Sequence, residues 1–225
     1  MDLATRLSVF FLSDTMWLIV QGSLIAAFLA GAYLYATKRM GRKGWGIEEL
    51  VLGVISVRLL YGLVRVIGQY YIWSQSDLAK LFLTAKLPAW FFDGWPGKVF
   101  FFLNNPRGYF FYYSFNHFFL NTFITVIMAL IWYGFLRLLK RHQERFFEEG
   151  EVQLGFLLAL IVGWPGFVLF IPLLFISVVV LSLIRAAVFR LPYTTLGYPF
   201  LLAVLVIILF GEKLIALFGL DVLRI

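Results

Sequence analysis

Arg58 and Arg65 stand inside an apolar stretch, residues 47–73, that is long enough to cross a bilayer. An arginine held in hydrocarbon costs roughly 2.5–3.5 kcal/mol on insertion scales. A helix turns ~100° per residue, so Arg58 and Arg65 fall ~20° apart and Tyr61 lies ~60° from Arg58. The three form one stripe. The helix would be about 39 Å long, with Arg58 ~17 Å from its start, near the middle. Arg65 lies nearer the far end, within snorkelling reach of the headgroups. Two guanidiniums on one stripe repel each other unless an anion lies near, and the interiors of the apolar segments hold no Asp or Glu. A lipid phosphate is the remaining anion, and arginine's planar fork suits it. The competing expectation is structural: Arg58 bonds backbone carbonyls at a helix break, and Arg65 snorkels.

The other chemistry-bearing groups are sparse. His117 and Asn121 are four apart at the start of an apolar run and share a helix face. Imidazole titrates in the range suited to a general base, although a lone membrane histidine also serves as a hydrogen bonder. Arg185 closes a later apolar piece and could approach from another helix. Glu151 ends the acidic run that begins at Glu148. There is no cysteine, which rules out disulfides, thiolate metal sites and a cysteine nucleophile, and two histidines do not make a His-rich metal centre. No metal and no cofactor are expected.

The elements that would position these groups follow from composition. Of 225 residues, 62% are hydrophobic and 14% charged, against about 25% charged in soluble domains. The chain reads as a single integral membrane domain, 1–225, and an all-α polytopic bundle of about six spanning helices. The net charge of +7 belongs to cytoplasmic loops and contact with anionic lipid, not to nucleic acid. No cleavable signal peptide is expected, since the first apolar run is short.

A short amphipathic lead-in precedes the first span, 16–37. That span carries Gly22, Ala26 and Ala30 on one row and Ser23, Ala27 and Gly31 on the next, so a neighbouring helix can approach closely. The basic loop 38–43 and the basic run 137–145 should be cytoplasmic, with Trp45 as an interfacial anchor. Residues 74–113 read as an aromatic-rich interfacial arm. It holds an amphipathic helix over 76–87, then Trp90-Phe91-Phe92, Phe100-Phe101-Phe102 and Tyr109 to Tyr113 between Pro/Gly breaks. The third span is 115–139. Residues 152–163 are short for a crossing at ~20 residues. A break at Trp164-Pro165-Gly166, or one shifted toward Pro172, leads into 167–189, closed by Arg185 and Arg190. Pro192 to Gly197 should turn, and the last helix starts at Tyr198. Six crossings leave both termini outside. If the short piece re-enters instead, five crossings put the C-terminus inside.

The order of these features resembles the bacterial prolipoprotein diacylglyceryl transferases. Ser56-Val57-Arg58-Leu59-Leu60-Tyr61 stands where that family has a Gly-Ala-Arg-Leu-x-Tyr-like motif, with Arg and Tyr in place. Phe115-Asn116-His117 and Asn121 stand where the family has Leu-Tyr-Glu and a later Asn, with His117 at the glutamate. The family's His-Gly-Gly helix and its Gly-Arg-x-Gly-Asn-x-x-Asn signature are absent. The resemblance implies a membrane protein of the bacterial cytoplasmic membrane that binds phosphatidylglycerol through Arg58, Tyr61, Arg65, Asn121 and Arg185. It also implies transfer of a diacylglyceryl group to a lipoprotein cysteine, with His117 taking the thiol proton. The second half, from Glu149-Gly150-Glu151-Val152-Gln153 through Leu196-Gly197-Tyr198-Pro199-Phe200, looks like the type IV prepilin peptidases. There Glu151 takes an aspartate's place, and a pilin-like precursor would be the partner. That chemistry needs two carboxyls, and the chain's five aspartates lie outside the spans. A non-catalytic membrane scaffold is the third reading. Convergence of Arg58, Tyr61, His117 and Arg185 would favour lipid chemistry, a second carboxylate facing Glu151 would favour proteolysis, and Arg58 on backbone would favour the scaffold.

Overall fold

The computed structural model describes residues 3–38, 46–94, 98, 104–143, 147–189 and 195–223. The basic loop at 39–43, Trp45, Trp95 to Gly97, Phe100 to Phe102, Arg145, Arg190 and Pro192 lie outside them. The described residues form helices and no strand. The helices are α1 (Leu3–Leu12), α2 (Asp14–Ala36), α3 (Ile47–Gln75), α4 (Asp77–Thr84), α5 (Ala89–Asp93), α6 (Gly108–His142), α7 (Glu151–Val162), α8 (Gly166–Phe189) and α9 (Gly197–Leu217), with a terminal 3₁₀ turn at Leu220–Leu223. Among the described residues, α2, α3, α6, α8 and α9 are long and apolar enough to cross a membrane. Large apolar side chains such as Leu52, Leu60, Phe175, Val179 and Leu183 point outward along these helices, as they do where hydrocarbon is the solvent. The chain is a multi-pass membrane protein.

Two compact units divide it: residues through Val20 with Leu59–Leu120, and Gln21–Arg58 with Asn121 onward. In the second unit the core lies between α6, α7, α8 and α9. Leu136, Leu154, Leu157, Leu158, Leu160, Phe170, Phe200 and Val204 are fully buried there. Trp132 sits among Phe135, Phe167, Phe170 and Phe200, with ring centroids 5.4–6.3 Å apart. A side chain at Gly155 would strike Leu136 and Phe200, and one at Gly31 would come to 3.0 Å of Leu157. The row ending in Gly31 therefore meets a neighbour, while Gly22, on the other row, has nothing within 4 Å.

The short helix α7 spans 12 residues, about 18 Å, too little for ~30 Å of hydrocarbon. Its first turn lies beside that of α9, and a residue just past its last turn reaches the 3₁₀ turn that follows α9. Glu151 bonds Gly197 at one end, and Trp164, just past the other, donates from Nε1 to the Leu223 carbonyl at 2.8 Å. Three residues of turn follow, Gly163 to Pro165 with a cis Trp164–Pro165 peptide, before α8 begins. Among the described residues there are thus five full-length apolar helices and one short apolar helix followed by a turn. The break falls at Gly163–Pro165, and Pro172 stays inside α8, correcting the alternative placement.

The first unit corrects the arm. α3 runs on to Gln75 and α6 begins at Gly108, so both ends of the expected 74–113 arm belong to long helices. Aromatic rings lock these ends together. Trp73 lies 4.8 Å from Tyr113 and 5.6 Å from Phe110, and Tyr70 lies 5.6 Å from Phe110. The arm's own rings join them, Phe82 against Trp73 and Tyr109, Phe91 against Tyr112. In α4, Leu83 turns inward while Leu78, Leu81 and Phe82 face out.

The cysteine-free chain allows a direct topology test. Single cysteines at Thr37, Gln143 and Glu149 should label from the cytoplasmic side, and one at Val222 only from the opposite side. Labelling of Val222→Cys from the cytoplasm would show that the α7 leg does not cross.

Candidate functional site

Among the described residues of the second unit, one ionisable side chain is fully buried, that of Glu151. It opens α7, behind Gly150, whose φ of +85° suits a glycine. Tyr35 donates its hydroxyl hydrogen to Glu151 Oε1 at 2.7 Å, and the Gly197 amide donates to the same oxygen at 2.7 Å. The Glu148 amide, two residues before the N-cap Gly150, donates to Oε2 at 3.0 Å. Glu151 is thus set at the first turns of both α7 and α9, where the positive ends of two helix dipoles favour a carboxylate. Tyr35 continues the network to Thr195 Oγ1 at 3.3 Å and packs edge-on against Tyr198 at 5.2 Å. A side chain at Gly197 would run into the Tyr35 ring. No hydrogen bond joins Glu151 to a second carboxylate among the described residues.

Arg58 serves the other end of the same short helix. Its Nε donates to the Leu160 carbonyl and its Nη2 to the Ile161 carbonyl, both at 3.1 Å. The last carbonyls of a helix lack intrahelical partners and carry partial negative charge, so the guanidinium supplies both donors and charge. Gly163 ends the helix at φ +64°, and a Cβ there would lie 2.6 Å from Arg58 Nη2. Next to it, the Trp164 amide donates to Thr125 Oγ1 at 3.0 Å. This is the backbone-capping role weighed for Arg58 against lipid binding.

The first unit holds Tyr61, Arg65 and His117. Arg65 is half-buried in α3. Its Nη1 donates to Tyr61 Oη at 3.4 Å, and its guanidinium carbon lies 5.4 Å from the Tyr61 ring centre and 5.0 Å from that of Phe118. Its Nε is buried with no acceptor. Among the described residues no carboxylate pairs with Arg65; the salt bridge found there joins the exposed Lys80 and Asp77 at 2.8 Å. Phe118 belongs to a π-helical turn, Phe115–Phe119, inside α6. Such turns insert a residue and recur at functional sites. A Cβ at Gly62 would lie 3.1 Å from the Phe118 carbonyl oxygen and 2.9 Å from the Phe119 ring, so the missing side chain lets α3 close on this turn.

His117 is exposed, and its ring stacks on Tyr113 at 4.1 Å. Asn121, also exposed, begins the part of α6 assigned to the second unit. His117 lies within the π turn, which shifts the helical register on which its shared face with Asn121 was argued. Arg185 is half-buried in α8. Sequence reasoning joined Tyr61 with Arg65, and it marked Ser114 as a polar group at the start of the third span that must find a partner, but it missed the roles of Tyr35 and Gly197. The Ser114 hydroxyl is buried without a partner. The signal for Tyr35 was available: a tyrosine in the last turn of an apolar helix, and a carboxylate needing a donor.

Two substitutions separate these roles. Glu151→Gln faces an amide NH₂ toward backbone donors and should cost roughly 2–3 kcal/mol, read as lowered thermal stability in detergent. Gly163→Ala should displace Arg58 and destabilise comparably, whereas Asn121→Ala, at an exposed position, should leave stability unchanged. No protein-family model matches the chain, and neither a curated protein nor a solved structure matches it.

Proposed function

We propose that this membrane protein binds an anionic phospholipid, with Arg65 and Tyr61 at the headgroup. One observation carries the reading. Arg65 lies in an apolar span without a carboxylate partner among the described residues, and its buried Nε has no acceptor. Contacts with two rings offset part of the cost of burial, each by about 0.5–2 kcal/mol, but they leave a charged donor unmet. A phosphate oxygen would meet it with a charge-assisted hydrogen bond. Phosphatidylglycerol, in a bacterial cytoplasmic membrane, is the lipid the transferase resemblance implies.

Binding without transfer is the better-supported form of this reading. Arg58 already spends two donors on carbonyls of α7, and Glu151 already accepts three hydrogen bonds. Both have structural work that accounts for their burial, which supports the scaffold reading over the peptidase one. The transferase reading extends the lipid site by one step. A lipoprotein thiol would give its proton to His117, and its sulfur would displace glycerol phosphate from the diacylglyceryl carbon to form a thioether. The exposure of His117 is compatible with a peptide approaching it.

Native mass spectrometry of protein purified in mild detergent tests the lipid site. The wild type should retain phosphatidylglycerol and Arg65→Gln should lose most of it, while Arg58→Lys should lower stability and keep the lipid. Equal retention by wild type and Arg65→Gln would falsify the reading. Retention lost in Arg65→Gln, together with thioether formation on a lipobox peptide that fails in His117→Ala, would extend it to transfer.

A further inference from the structure

Besides Arg65 Nε, the first unit buries a second polar atom without a hydrogen-bond partner: the hydroxyl oxygen of Ser114, a residue 4% exposed. Serine inside a helix commonly bonds the carbonyl one turn back; this one does not. Buried polar atoms in folded proteins are nearly always satisfied, by protein, water or ligand. Ser114 stands immediately before the π turn and Phe118 within it. α3 packs against α6 on both sides of Ser114, with Trp73 on Tyr113 at 4.8 Å and Gly62 on Phe118 and Phe119. Arg65, from α3, rests on the Phe118 ring at 5.0 Å. The two orphaned groups thus border the same turn of α6, one from within that helix and one from α3.

The geometry points to a single pocket for a phosphate-class oxyanion, in which Ser114 Oγ donates to one oxygen and Arg65 Nε to another, with Tyr61 Oη beside Nη1. This rests on the phospholipid reading above and adds the residue that would make the site selective for a phosphate ester. A hydroxyl and a guanidinium edge hold a tetrahedral anion from two directions, whereas the Arg65 guanidinium alone would accept any anion.

The test compares wild type, Ser114→Ala, Ser114→Thr and Arg65→Gln in nanodiscs, with phosphatidylglycerol, soluble glycerol phosphate and phosphate-free diacylglycerol as probes. Ser114→Ala removes an orphaned hydroxyl and puts the best helix former in its place, so its thermal stability should be unchanged or higher. Its phosphatidylglycerol affinity should fall about tenfold or more, and Ser114→Thr should restore part of it. Competition by glycerol phosphate would identify a free phosphate ester as the ligand and leave the pocket standing; no competition would leave the lipid as its source. Unchanged affinity in Ser114→Ala, with loss in Arg65→Gln, would overturn the role of Ser114 and spare the lipid site. Unchanged affinity in both variants would overturn the pocket and the lipid reading together. Diacylglycerol bound as tightly as phosphatidylglycerol would replace the oxyanion pocket with an apolar groove.

Discussion

A single buried carboxylate organises the second unit. Glu151 accepts from a tyrosine of α2, from the first amide of α9 and from the approach to its own helix. An ionised group in a low-dielectric interior is expensive unless its lone pairs are filled and its charge is balanced. Here three donors occupy most of the acceptor sites of the carboxyl group, and the N-terminal ends of two helices face it. Everything near it follows from that requirement. Tyr35 must be tyrosine for its hydroxyl, and Gly197 must lack a side chain for the ring to reach.

Arg58 answers the same problem with opposite sign. The short helix α7 ends inside the protein, where water cannot satisfy its last carbonyls. A guanidinium from α3 meets two of them, and Gly163 leaves room for it. Acid at the start and base at the end complement the dipole of one 12-residue helix. That pairing holds in place a helix too short to span, which is followed by the turn through Trp164 and Pro165.

The first unit leaves its account open by comparison. Its aromatic rings pack into a continuous cluster from Tyr70 to Tyr113, yet Arg65 and Ser114 each keep a buried polar atom without a partner. In the second unit the buried charges are met by protein groups, and the unpartnered buried atom there, among the described residues, is the uncharged indole nitrogen of Trp132. In the first, the protein supplies rings to the arginine and stops short of the last hydrogen bond. That difference is why ligand binding is assigned to Arg65 and structural roles to Arg58 and Glu151, although all three are ionisable residues held in or beside apolar helices.

Hydrophobicity and segment length alone determined that this chain is an all-α membrane protein, because a backbone in hydrocarbon must satisfy its own hydrogen bonds within each segment. They also located α2, α3, α6, α8 and α9, the break near Trp164, and the Arg65–Tyr61 pair, whose spacing of one helical turn is a local property. Only tertiary structure decided what Arg58 and Glu151 do. Their partners are remote in sequence: Leu160 and Ile161 for one, Tyr35 and Gly197 for the other. The stripe argument placed Arg58 and Arg65 on one helical face but could not say that α7 carbonyls wait beside the first and a π turn beside the second. The π turn itself was invisible, since an inserted residue changes hydrogen-bond register without changing composition. Periodicity reports which face a side chain occupies. What faces it is set by the packing of segments a hundred residues apart.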